Sequence, residues 1–189
     1  MTVVLGRTTD SGPTGALGHF LATDGSRSAP VALDLDRPHV GLVVGKRGSG
    51  KSHTLGVIAE ELAASAGVGG IVVDPMGAFD GLAALESGRI FDAPTIRADA
   101  IAPADWCRLL ELDPATAPGA LLWRAAASAD SLAGMRDVVE AADAPTGTRR
   151  AVLNHLELAA TWGAFDPDGL TPAALQTDAI TVLDTSGVP

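Results

Sequence analysis

A chain of 189 residues that is 47% hydrophobic carries enough apolar material for one main core, which excludes wholesale disorder. Its 13 Lys+Arg against 23 Asp+Glu give a net charge of -10, a field that repels polyanions and excludes a general nucleic-acid coat protein unless basic residues are gathered locally. The single Cys107 excludes an internal disulfide, and with four scattered histidines it excludes a four-ligand zinc site.

The opening stretch MTVVLGRTTDSGPTG has no charged-then-apolar leader, and no apolar run approaches the roughly 18 residues that span a bilayer. The cytoplasm is the expected compartment, with no membrane partner. Of the acids 17 are Asp, and of the basic residues 11 are Arg, a bias that with abundant Ala and Gly resembles proteins of salt-loving archaea. An ordinary acidic protein from a GC-rich genome is the plainer account of the same composition.

In chain order, residues 1 to 38 hold short apolar runs, TVVL, HFLAT and PVALDLD, separated by the turn-formers DSGPTG and DGSRS, and predict a small β-rich module. HVGLVVG, residues 39 to 45, is a continuous apolar run ending in Gly, the pattern of a strand buried on both faces of a parallel sheet. A helix follows, because Leu55, Ile58, Ala59, Leu62 and Ala66 recur at helical spacing with Glu60 and Glu61 on the other side and Gly67 placed as a C-cap. GGIVVD, residues 69 to 74, then completes a strand–helix–strand unit. Residues 103 to 162 predict three or four helices, in PADWCRLLEL, APGALLWRAAASA, SLAGMRDVVEAAD and TGTRRAVLNHLELAATW, with Trp106, Cys107, Trp123 and Trp162 as core. DAITVLD, residues 178 to 184, is a further buried strand. The fold class is α/β: residues 39–189 form a P-loop core with a parallel sheet and an inserted helical segment, behind the module of residues 1–38.

Both lysines of the chain lie in one stretch, GKRGSGKS. Gly45, Lys46, Arg47, Gly48, Ser49, Gly50, Lys51 and Ser52 match G-x-x-x-x-G-K-[ST] in full, where about 0.003 matches are expected by chance from this composition. Glycine at 45, 48 and 50 lets the backbone curl with its amides inward at little steric cost, so the amides become phosphate ligands. Lys51 brings a compact charge to the β and γ phosphates, Ser52 offers a hydroxyl to magnesium, and the helix starting there points its positive dipole end at the anion. The cofactors this implies are ATP and Mg2+. Lys46, in the variable part of the loop, is either a nucleotide contact or solvated decoration, and His53 is placed to fill the adenine-side or sheet-side surroundings.

Two aspartates close predicted strands and therefore stand at the carboxyl edge of the sheet, where ligands of doubly wound folds collect. Asp74, in VVDPMGAFD, is a candidate for magnesium, its water or the reaction itself; as a turn-opener before Pro75 it would need no ligand. Asp184, in TVLDTSG, poses the same choice. Arg149 and Arg150 make the densest basic cluster outside the P-loop and read as a solvated helix start.

The segments PVALDLDRPHVGLVVGKRGSGKSHTLGVIAEEL, GIVVDPMGAFDGL and AITVLDTSGVP, in this order and spacing, resemble the HerA group of the HerA/FtsK ATPases. The resemblance implies a small β-barrel ahead of a RecA-like core, Gly45–Ser52 as the Walker A loop, Asp74 as the acid of a D-P-x-G-E-like motif, and Asp184 in a D-[LT]-S-G-like segment. It also implies a hexameric ring that translocates double-stranded DNA, as a helicase does, with a nuclease partner. Ala78 stands where the family motif carries an acid. The family's catalytic glutamate, sensor and trans-acting arginine would fall beyond residue 189, so the core is expected to be incomplete at its C-terminus. A nucleotide-binding regulatory or assembly module that never hydrolyses ATP is the alternative, whereas a GTPase or small-molecule kinase is disfavoured by the absence of N-K-x-D.

Overall fold

The computed structural model describes residues 1–7 and 11–188; Asp10, which opens the predicted turn DSGPTG, and Pro189 lie outside the described residues. Contacts divide the chain into two compact units, Met1–Ala93 with Gln176–Val188, and Pro94–Leu175.

The first unit holds two three-stranded sheets. In one, β1 (Val3–Leu5) runs parallel to β3 (Arg27–Asp34), and β2 (Thr14–Leu21) pairs antiparallel to β3 with irregularities at Ala16/Gly18 and His19/Leu21. This is the small β module that alternating runs and turn-formers predict. Its inner end carries a buried ion pair, Arg7 with Asp34, and the Arg7 guanidinium also donates to the carbonyls of Gly12 and Pro13.

The second sheet is wholly parallel, in the order β4 (Gly70–Asp74), β6 (Ile180–Asp184), β5 (Gly88–Asp92). The sequence predicts β4 and β6; it does not announce β5, whose run GRIFD is short and mixed in polarity. Ile180, Thr181 and Val182 of the central strand are buried, the pattern expected where both faces are covered. Ala59, Leu82, Ile180 and Val182 form the core here, joined by Leu62, Val72, Phe79 and Ile90.

The helix predicted after the P-loop is α1 (Lys51–Ala64). Ala59 seals it against the core, but Leu55 is exposed, and the helix ends at Ala64, so Gly67 lies beyond it rather than at its cap. Its other neighbour is β2: the Ala16 amide donates to Glu61 Oε2 at 2.7 Å, and a Cβ on Gly15 would lie 2.8 Å from that of Glu61, so only glycine fits beneath the helix there.

The strand predicted at residues 39–45 is not formed. Val40, Leu42 and Val44 are 104%, 86% and 76% exposed, and the segment has no strand pairing. The physical reason is that a strand exists only through the ladder of its neighbours, and no strand pairs with this segment among the described residues.

The second unit is helical: α2 (Pro103–Leu109), α3 (Ala117–Ser128), α4 (Leu132–Glu140), α5 (Thr146–Thr161) and the short α6 (Pro172–Leu175). The four helices read from the sequence are α2 to α5. Local signals start them: Thr116 accepts from the Gly119 amide with Pro118 in the first turn of α3, and Ser131 accepts from the Gly134 amide at the head of α4. Trp106, Leu122, Met135, Val139, Val152 and Leu156 fill the core. Trp106 donates its indole N–H to the Ala98 carbonyl at 2.9 Å and packs on Phe165, with ring centroids 4.9 Å apart. Cys107 is buried beside it, which raises its thiol pKa, and Trp162 packs against the cluster; Trp123, expected in the core, is 47% exposed and lines an open cavity with Pro103 and Val138. Arg149 and Arg150 are the fourth and fifth residues of α5, and Arg149 donates to the Ala142 carbonyl.

Candidate nucleotide-binding site

The loop Gly45–Gly50 curls directly into α1, with Gly48 at φ 78° and Gly50 at φ 88°, the left-handed region that glycine reaches without a Cβ clash. A Cβ on Gly45 would lie 2.3 Å from Ser49 Oγ and 3.1 Å from Ser49 Cβ, so glycine at the start of the loop lets Ser49 fold back over it. The Ser49 amide donates to the Lys46 carbonyl at 3.2 Å, and Lys51 Nζ donates to the same oxygen at 3.1 Å. Lys46, Arg47 and Ser49 are exposed on the rim.

At the head of α1 no side chain caps the helix among the described residues, and its first turn holds no acid. The leading amides and the dipole are therefore offered to an outside anion rather than to a capping carboxylate. Positive-φ glycines, a lysine folded over the loop and an uncapped helix start together form a cradle of the shape and charge that suits a polyphosphate, and Ser52 in the first helical turn adds a hydroxyl of the kind that would hold a divalent cation.

A cavity of about 290 Å³ opens beside this turn, with Ser52, His53 and Gly56 on one wall and Ala78, Asp80 and Gly81 on the other. Asp74 does not line it. Its carboxylate is 1% exposed, with Oδ1 accepting from the Met76 amide at 3.1 Å and Oδ2 from the Phe79 amide at 2.9 Å. Both oxygens thus hold the loop 75–79, in which Gly77 takes φ 61°. Asp184 stands opposite Asp74 in the parallel ladder, and Asp92 opposite Asp184, so all three strands end in aspartate at one level of the sheet. Hydrogen bonds from the Ser186 hydroxyl and amide hold the Asp184 carboxyl below the usual carboxylate range.

The structure therefore brings Gly45–Gly50, Lys51, Ser52 and His53 to one end of α1, and pairs Asp74 with Asp184 at the sheet edge. Sequence reasoning passed over Asp80 and Asp92. Nothing in the local pattern marks Asp80, since only the fold of the 75–79 loop carries it to the cavity wall.

A parallel sheet with the P-loop helix on it, a loop built on left-handed glycines and a lysine closing that loop define a P-loop protein of RecA-like α/β architecture. The family profile described as "Helicase HerA, central domain" matches residues 16–156, and the chain belongs to this family of ATPases. No curated protein matches the chain. No helix among the described residues is long and apolar enough to cross a membrane.

Proposed function

We propose that this chain binds Mg-ATP through Gly45–Ser52 and, in a complete oligomeric assembly, serves a motor that couples ATP hydrolysis to movement along double-stranded DNA. The observation that carries this reading is the phosphate cradle itself: Gly48 and Gly50 in the left-handed region, an uncapped α1, and Lys51 folded over the loop. In it the loop amides and Lys51 hold phosphate oxygens, and Ser52 holds the cation. Magnesium, when bound, supplies a Lewis acid that neutralises charge on the phosphates. The hexameric ring, the DNA duplex and a nuclease partner enter this proposal from family membership.

Isothermal calorimetry tests it. The chain should bind Mg-ATP, and Lys51→Ala should abolish most of that binding. A folded wild-type chain that ignores millimolar ATP overturns the reading.

A second reading, binding without hydrolysis, is favoured by one observation: the carboxylate of Asp74 is buried and holds two backbone amides, so it is poorly placed to orient a water. Fast hydrolysis needs such a group, and a charge-stabilising arginine alone is worth about 10³- to 10⁵-fold. Phosphate release by residues 1–189 is therefore expected to stay near the Lys51→Ala blank. Robust Lys51-dependent turnover would place a working carboxylate within these residues.

A further inference from the structure

Resting on the nucleotide reading above, we propose that Asp80 is the carboxylate that serves the phosphate loop, holding the water shell of the divalent cation that accompanies the nucleotide at Ser52. The first support is the division of labour between two neighbouring aspartates. Asp74 is buried with each oxygen accepting from a backbone amide, so it shapes the loop that follows and is closed off from the cavity. That loop ends at Phe79, which packs into the core with Ala59, Leu82, Ile180 and Val182, and the next residue is thereby set on the surface against the α1 face. Asp80 is exposed, spends Oδ1 on the Gly81 amide at 2.8 Å, and leaves Oδ2 without a hydrogen bond among the described residues.

The second support is the cavity. Ser52 and Asp80 line the same space of about 290 Å³, room for roughly ten waters at about 30 Å³ each. A hydrated cation fits such a space, and magnesium keeps several of its waters when bound, so a carboxylate facing it through water needs no direct bond. Glu60 is the other carboxylate on the wall, eight residues further along α1, so its backbone stands about 12 Å from Ser52 at 1.5 Å per residue. Residue 78 brings only a methyl group to this wall. Asp80 is a positioning residue here, acting on the cation through water.

The test is ATP binding to the full chain by calorimetry, once in excess Mg2+ and once in EDTA, with melting temperatures for every variant. Asp80→Asn should weaken binding about 10-fold in Mg2+, the low end for groups outside the inner shell, and leave binding in EDTA unchanged. Asp80→Glu should recover most of the loss, and Glu60→Gln should match wild type in both buffers. If Asp80→Asn keeps the wild-type ratio between the two buffers, the proposal is overturned while the nucleotide reading stands. Equal losses in both buffers with a lowered melting temperature would assign Asp80 a structural role and also overturn it. A wild-type chain that binds no ATP removes both.

Discussion

Lys51 Nζ donates to the main-chain carbonyl of Lys46 at 3.1 Å, so the chain's two lysines meet across the phosphate loop. The bond stores the ammonium over the loop that would receive phosphate, and a phosphate oxygen would replace the carbonyl as its partner. Lys46 contributes its backbone to this contact, not its charge. Lys46→Ala should therefore change ATP affinity less than about threefold, the scale of a solvated surface charge, whereas Lys51→Ala should remove most of the binding. Parallel calorimetric titrations separate the two.

Asp74 acts on its own loop. Asp74→Asn keeps one acceptor but turns an amide N–H toward a backbone N–H, leaving buried polar groups unpaired at a cost of about 1 to 3 kcal/mol. At about 2 to 4 °C per kcal/mol for a chain of this size, the melting temperature should fall by several degrees. An unchanged melt would show that the loop 75–79 does not depend on this carboxylate.

Arg7, bonded to Asp34, holds that buried carboxyl below its ordinary value of 3.8, and His39 Nε2 stands 3.6 Å from its other oxygen. A carboxyl whose folded pKa is depressed stabilises the fold above its unfolded pKa, and the contribution is lost as pH falls through the folded value. Wild type should therefore outmelt Asp34→Asn at neutral pH, with the gap closing only below pH 3.8. Thermal melts at neutral pH and in acid read it; a gap that persists undiminished in strong acid would remove the ion pair as its cause.

The helical unit offers a contrast between two tryptophans. Trp106 is fully buried with its N–H bonded, so Trp106→Ala should cost about 3 to 5 kcal/mol. Trp123 is half-exposed, and Trp123→Ala should stay within about 1 kcal/mol. Chemical denaturation of both variants measures the difference, and equal losses would mean that Trp123 packs as tightly as its neighbour.

A net charge of -10 concentrated in aspartate makes self-repulsion the salt-sensitive term of stability. The Debye length shrinks to about 3 Å at 1 M, so melting temperature should rise between dilute buffer and molar KCl. A flat or falling trend counts against the reading of the composition as halophilic.

Much of the fold is local and was legible. Four helices in residues 103–162 announce themselves through apolar periodicity, because a helix satisfies its backbone within its own segment. The strand at 39–45 reads as strongly as β4 and β6 do, yet it is unpaired, because a strand's hydrogen bonds come from elsewhere in the chain. Leu55 and Trp123 show the same limit for side chains: periodicity names an apolar face, and only the neighbours present decide whether it is buried.

For the site, the motif G-x-x-x-x-G-K-[ST] by itself determined the loop on which the proposed phosphate site rests, since backbone curling at Gly48 and Gly50 and the start of α1 follow from adjacent residues. Which aspartate is buried and which lines the cavity beside Ser52 was decided by tertiary structure. Asp74 and Asp80 are six positions apart on one stretch, chemically identical in sequence. The backbone amides of Met76 and Phe79 consume one, and the packing of Phe79 into the core delivers the other to the cavity of Ser52. Hydrogen-bond demand and side-chain burial, both set by long-range contacts, make that choice.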